Sequence, residues 1–223
     1  MSQQSQWDLV LDSLGPIVLG AVTGTIPLAL VSFALGLVLA LGLALMRLSR
    51  RWWLSGIARG YISVVRGTPL LVQLFVIFYG LPSIGVVLDP WPSAVVAFSV
   101  NVGGYAAEVI RAAILSVPKG QWEAAYMIGM SHRLALRRII LPQAARVSVP
   151  PLSNTFISLV KDTSLASLIL VTELFRKAQE VAAFSQEFML LYLEAALVYW
   201  VICLALSSAQ GSLEKRLDRY VAH

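Results

Sequence analysis

The chain has 223 residues, of which 58% are hydrophobic and only 13% charged, with a mean hydropathy of +0.77 and a formal charge of +5. A soluble domain carries about twice that share of charged residues, so the composition excludes a disordered chain and argues against an ordinary cytosolic enzyme. The single cysteine, Cys203, lies in an apolar run, which rules out a disulfide framework and a cysteine-based zinc site. What remains is an all-α membrane protein that crosses the bilayer several times.

A helix needs about 20 apolar residues to span the hydrocarbon. Residues 14–46 form the first such run. Gly15, Pro16, Gly20, Gly24 and Pro27 interrupt its first part, so it reads as a tilted or bent span with an interfacial lead-in. Residues 67–88 and 90–107 are the second and third runs, joined by the turn-forming Leu88-Asp89-Pro90-Trp91-Pro92, which predicts a tight hairpin. Residues 147–171 form a fourth run containing Lys161 and Asp162, and residues 188–210 a fifth containing Glu194. The N-terminus lacks a basic stretch and the first apolar run is too long for a cleavable signal, so it is expected to remain.

Charge placement gives the orientation. With five crossings and the N-terminus outside, all of the 17 lysines and arginines except Lys161, Arg176 and Lys177 fall on the cytoplasmic side. Making the fourth run non-spanning would leave the basic tail (Lys215, Arg216 and Arg219) on the N-terminal side, a poorer match. The expectation is one transmembrane domain over residues 1–223, with a periplasmic N-terminus and a cytoplasmic C-terminus.

The loop at 108–146 is the longest hydrophilic stretch. Pro118-Lys119-Gly120 breaks the preceding helix, and residues 121–130 suit a short helix ending near Gly129. Trp122, Ala125, Tyr126 and Gly129 share one face at helical spacing, and such a face can dock into a groove. Glu123 is placed in the first turn, where a carboxylate complements the helix dipole. Arg133, Arg137 and Arg138 follow on a basic helix, and Pro142 punctuates the return to the membrane. By pattern alone, an amphipathic helix lying on anionic lipid fits equally well.

The spacing Glu123-Ala124-Ala125, Gly129, Ile139, Leu141-Pro142 resembles the loop signature of ABC importer permeases, the "EAA" motif. Arg66-Gly67-Thr68-Pro69-Leu70-Leu71, Asn101 with Tyr105-Ala106-Ala107-Glu108, and the run from Ile157 to Leu165 look like the polar amino acid subfamily, and residues 119–165 look closest to cystine/cysteine permeases. The resemblance covers roughly residues 10–215. It implies the type I importer permease fold in a bacterial inner membrane, with Glu123, Ala124, Ala125 and Gly129 coupling this chain to a dimeric ATP-binding subunit. It further implies an external amino acid-binding protein, periplasmic or lipid-anchored, and a second permease copy, identical or related. ATP and Mg would be bound by the partner, and no cofactor by this chain. Alanines allow close approach, and Gly129 is read as permitting a turn where a side chain would collide.

Ionisable residues inside a span are functional candidates by default. Lys161 and Asp162 together offer a cation for the carboxylate and an anion for the ammonium of an amino acid. Thr163 and Ser164 add hydroxyls, Asn154 and Ser158 lie two turns and one turn below, and Asn101 sits in the third run. These seven are the substrate-binding candidates. Glu194 is read as facing the outer interface, Arg66 as a membrane anchor bonded to backbone, and Trp52, Trp53 and Trp91 as an aromatic belt. Neither a phosphate-binding loop, a His-Glu-x-x-His zinc motif nor a Gly-x-Ser-x-Gly elbow occurs, and the histidines are His132 and His223. No catalytic or metal residue is assigned, and no nucleic acid partner is expected. The competing readings are an ion-coupled carrier or channel, which leaves the loop signature unexplained, and an intramembrane enzyme, which lacks a catalytic constellation.

Overall fold

The computed structural model describes residues 6–218, and Arg219 of the basic tail lies outside them. Among the described residues every regular element is helical. In lipid only a helix or a closed barrel satisfies its own backbone, so long helices are what so apolar a chain must form. In chain order they are α1 (Gln6–Arg47), α2 (Trp52–Gly67), α3 (Leu70–Ile84), α4 (Pro90–Ser116), α5 (Lys119–Met127), α6 (His132–Ile169), α7 (Leu174–Ser185) and α8 (Phe188–Asp218). Three of these, α1, α4 and α8, are long and apolar enough to cross a membrane. The number becomes five if each bent pair counts as one span: α2 with α3, turning by 107°, and α6 with α7, turning by 48°.

Prolines shape these helices without ending them. The first run is one 42-residue helix, not a broken one. A π-turn at Ala21–Thr25 stands just before Pro27, another at Val76–Gly80 just before Pro82, and a third at Leu136–Ile140 just before Pro142. Proline has no N–H for the carbonyl one turn back, and its ring crowds that oxygen. Widening the preceding turn relieves both problems: Ile26 N–H reaches back to the Ala21 carbonyl and Leu141 N–H to that of Leu136. Thus α6 passes through Pro142, and the helix entering the membrane is continuous with the basic segment before it. Pro69 does break the chain. Thr68 ahead of it is extended (φ −121°, ψ 145°), as sterics before proline demand, and this produces the sharp turn between α2 and α3.

The elements also run past the apolar windows. α4 continues to Ser116 and α8 to Asp218, so much of 108–146 is helix and the connecting loops are short. α3 stops at Ile84, where Gly85 adopts φ 85°, so the reversal before Pro90 is longer than the expected hairpin. α1 and α4 lie side by side. A Cβ on Gly36 would fall 2.6 Å from Val102, and one on Gly103 2.6 Å from Leu39, so small residues let the two helices close together. Phe98, Leu28, Leu74, Leu159 and Ile169 fill the core around that pair. A separate cluster of Ala113, Ile114, Val117, Ile140 and Ala144 fastens α4 to α6 next to α5.

Candidate functional site

Where α6 passes the junction of α2, α3 and α4, a cavity of about 420 Å³ opens. Thr68, Pro69, Leu70, Asn101, Val102, Tyr105, Asn154, Thr155, Ser158, Leu159 and Asp162 line it. Asn154, Ser158 and Asp162 stand four residues apart on α6 and so form one stripe along its face. Asn101 faces them from α4. Four of the seven substrate candidates are therefore brought together.

The remaining three are not. Lys161 is exposed and absent from the cavity wall, because neighbours on a helix point about 100° apart. Thr163 is fully buried, and its hydroxyl donates to the Val160 carbonyl at 2.7 Å. Ser164 likewise donates to the Lys161 carbonyl at 2.8 Å. At Thr163 the backbone tightens to a 3-10 helix, and the two hydroxyls cap carbonyls there.

Two lining residues of the cavity, Thr68 and Asn101, are held by a residue that pattern reading passed over. Gln73 donates through Nε2 to the Val65 carbonyl (2.8 Å), the Thr68 carbonyl (3.1 Å) and Thr68 Oγ1 (2.9 Å). Its Oε1 accepts from Asn101 Nδ2 at 3.1 Å. One amide thus stitches the Thr68-Pro69 break to α4 and orients Asn101 beside the cavity. The available signal was a lone amide in the apolar run 70–78. Asn154 is oriented in turn by Gln210 of α8, whose Nε2 donates to Asn154 Oδ1 at 3.2 Å. Arg66, expected to bond backbone, instead lies over the Tyr105 ring, 5.5 Å from its centroid.

Asp162 is half-buried and makes no hydrogen bond or ion pair among the described residues. Glu173 differs. It is fully buried and caps α7, accepting from Phe175 N–H (2.9 Å) and Arg176 N–H (2.7 Å). Tyr199 (2.8 Å) and Thr25 (3.3 Å) donate their hydroxyls to it as well. A Cβ on Gly24 would lie 2.3 Å from the Thr172 carbonyl, so α1 must present glycine for α7 to approach. Glu194 is also buried in the fold rather than turned outward, with Oε2 2.6 Å from Ser13 Oγ.

At the other end of α6, α5 starts at Lys119, so its first turn holds no acid and Glu123 belongs to the second. Ala125 is fully buried and Trp122 half-buried against the α4–α6 cluster. The face carrying Trp122 and Ala125 therefore points into this chain. Glu123, Ala124, Met127 and Ile128 point outward, with Met127 87% exposed. Gly129 has φ 79° and would meet nothing within 4 Å if given a Cβ, so the left-handed backbone, not crowding within the chain, requires glycine here. Its N–H bonds the Tyr126 carbonyl at 2.9 Å. Glu108 joins Arg47 (3.3 Å) and Arg111 (2.7 Å), tying the end of α1 to α4.

A family model described as "Binding-protein-dependent transport system inner membrane component" matches residues 32–219. The L-cystine transport system permease protein TcyB of Bacillus subtilis (strain 168) is 61% identical over 217 residues, 97% of this chain and 93% of that one. The probable amino-acid ABC transporter permease protein YckA of the same organism is 39% identical, over 99% of this chain and 100% of its own length. Among solved structures, one entitled "Crystal structure of an amino acid ABC transporter with histidines" superposes with a TM-score of 0.86 at 34% identity, covering 92% of this chain and 96% of that one. The all-helical architecture is the type I permease fold. With the sequence signature, the fold and these likenesses together, the chain belongs to the family of binding-protein-dependent transport system inner membrane components, the permeases of ABC transporters.

Proposed function

We propose that this chain is the membrane subunit of an ATP-driven importer of a polar amino acid, with cystine or cysteine as cargo, in a bacterial inner membrane. The observation that carries the reading is the continuity of α6. It begins beside the loop helix α5, one side of which is exposed, and it carries the stripe of Asn154, Ser158 and Asp162 on the cavity wall. About 45 Å of unbroken helix separates His132 from Asp162, at ~1.5 Å per residue. A push on α5 can therefore tilt the cavity wall.

In this reading five crossings place the N-terminus outside and α5 in the cytoplasm, consistent with the basic residues and with the three long helices and two bent pairs. Glu123, Ala124, Ala125 and Gly129 form the coupling element. Its exposed side enters a cleft of a dimeric ATP-binding subunit, which binds ATP and Mg, and Trp122 seats it on the α4–α6 cluster. A binding protein delivers cargo from outside, and a second permease copy completes the path. Asp162 receives the ammonium group, the amides of Asn101 and Asn154 receive the carboxylate, and Ser158 adds a hydroxyl. Thr163 and Ser164 hold the helix end that presents Asp162, and Lys161 flanks the cavity from the exposed side. Support for the cargo class is the likeness to a permease named for L-cystine.

The test is uptake of labelled cystine into proteoliposomes holding the permease, its ATP-binding subunit and the binding protein. Uptake is expected with ATP and the complete assembly. Uptake by the permease alone under an ion gradient would establish an ion-coupled carrier instead. ATP-driven uptake of other amino acids but not cystine would keep the importer and replace the cargo.

A further inference from the structure

We propose that Trp122, Tyr126 and His132 form an aromatic clasp that fixes the angle between α5 and α6, with His132 the positioning residue through which α5 moves the cavity helix. The proposal rests on the coupling role given above to α5 and concerns residues outside the loop signature.

A nine-residue helix does not hold its own direction, because helices that short are marginal without tertiary support. The turn that follows α5 is built on Gly129 at φ 79° and would serve as a swivel. Two ties cross it. Gln143 Nε2 donates to Gln121 Oε1 at 3.1 Å, and His132 meets both aromatic residues of α5. The imidazole lies nearly parallel to the Trp122 indole, with centroids 4.9 Å apart and planes inclined by 13°. Its Nδ1 shares a 2.8 Å hydrogen bond with the Tyr126 hydroxyl. Trp122 also packs on the cluster joining α4 to α6. His132 is the first residue of α6, and Ser131 before it caps the helix by accepting from Leu134 N–H. A displacement of α5 thus passes through one stacked pair and one hydrogen bond directly into the long helix. Without them only the Gln121–Gln143 bond and the packing of Trp122 hold α5 to α6, α5 yields about Gly129 and part of the movement is lost.

The readout is ATP hydrolysed per cystine imported, measured in the assembled transporter in proteoliposomes, with copurification of the ATP-binding subunit followed alongside. His132→Ala is expected to raise that ratio at least threefold with copurification retained. Tyr126→Phe and His132→Phe each remove the same hydrogen bond. Each should raise the ratio by a smaller factor, and the double variant should be no worse than either alone. His132→Asn, whose side-chain oxygen takes the place of Nδ1, should recover part of the loss in His132→Ala. An unchanged ratio in His132→Ala overturns the clasp, as does additive loss in the double variant or loss of the ATP-binding subunit. Should His132→Ala not fold, Tyr126→Phe decides, since it deletes one oxygen from a side chain that is 46% exposed. Ile128→Asp on the outer face separates this from the underlying reading: normal copurification and uptake there would overturn the docking role of α5 itself. Loss there with an unchanged ratio in the His132 variants overturns the clasp alone.

Discussion

Asp162 and Glu173 are two acids close in sequence in one mostly apolar chain, and their surroundings are opposite. Glu173 has two backbone N–H groups and two hydroxyls aimed at it and no exposed surface. Asp162 borders a cavity, with no donor spent on it among the described residues. Removing a carboxylate from water is costly unless hydrogen bonds replace the water. A saturated acid holds the protein together, whereas an unsaturated one beside a cavity keeps its capacity for a ligand. The lesson is that donors, rather than depth or charge, separate the acid satisfied within the fold from the one proposed to bind cargo.

Glu173→Ala should sharpen that contrast most. It strands the first N–H groups of α7 and the hydroxyls of Thr25 and Tyr199, at a cost on the order of 3 kcal/mol. The checks are thermal melting and yield of the detergent-solubilised protein, both of which should fall; an unshifted melting temperature would make Glu173 no structural acid. Gly24→Ala attacks the same contact from α1. With a methyl 2.3 Å from the Thr172 carbonyl the helices must separate, which overpacking data place at about 2 kcal/mol. It should lower the melting temperature yet leave substrate affinity alone once the protein is folded.

Asp162→Asn should do the reverse. It keeps melting within experimental error but reduces ATP-driven uptake about tenfold, equivalent to about 1.4 kcal/mol. Uptake at the parental rate would erase the distinction between the two acids. The smallest effect is expected for Lys161→Ala, which removes an exposed side chain outside the cavity wall and should change uptake less than about threefold, below ~0.7 kcal/mol. If Lys161 mattered as much as Asp162, cargo would have to be bound through a cation that a single copy does not turn toward the cavity.

Parts of this were legible beforehand because they depend on local or summed properties. Apolar length, the distribution of arginines and the spacing from Glu123 to Pro142 need no tertiary contact, and they led to a helical membrane permease. Of the face expected from Trp122 to Gly129, Trp122 and Ala125 turn inward, Trp122 onto the chain's own α4–α6 cluster, whereas Tyr126 is exposed and Gly129 lies past the helix end. Periodicity reports that a face will be covered, but not by what. Pro16, Pro27 and Pro142 were visible as interruptions, yet the helices absorb them, Pro27 and Pro142 behind π-turns. A buried backbone group left unsatisfied costs more than a widened turn.

What the sequence determined alone was therefore the class of structure and its solvent, since hydrophobic length and charge act without knowledge of neighbours. Only the tertiary structure decided which polar groups are already satisfied. Lys161 and Asp162 are adjacent in the chain, but a turn of about 100° sends one to the surface and the other to the cavity. Gln73, Glu173 and His132 acquire their roles from partners on other helices or across a turn, because a hydrogen bond or a ring stack is a property of two positions, and one position cannot reveal it.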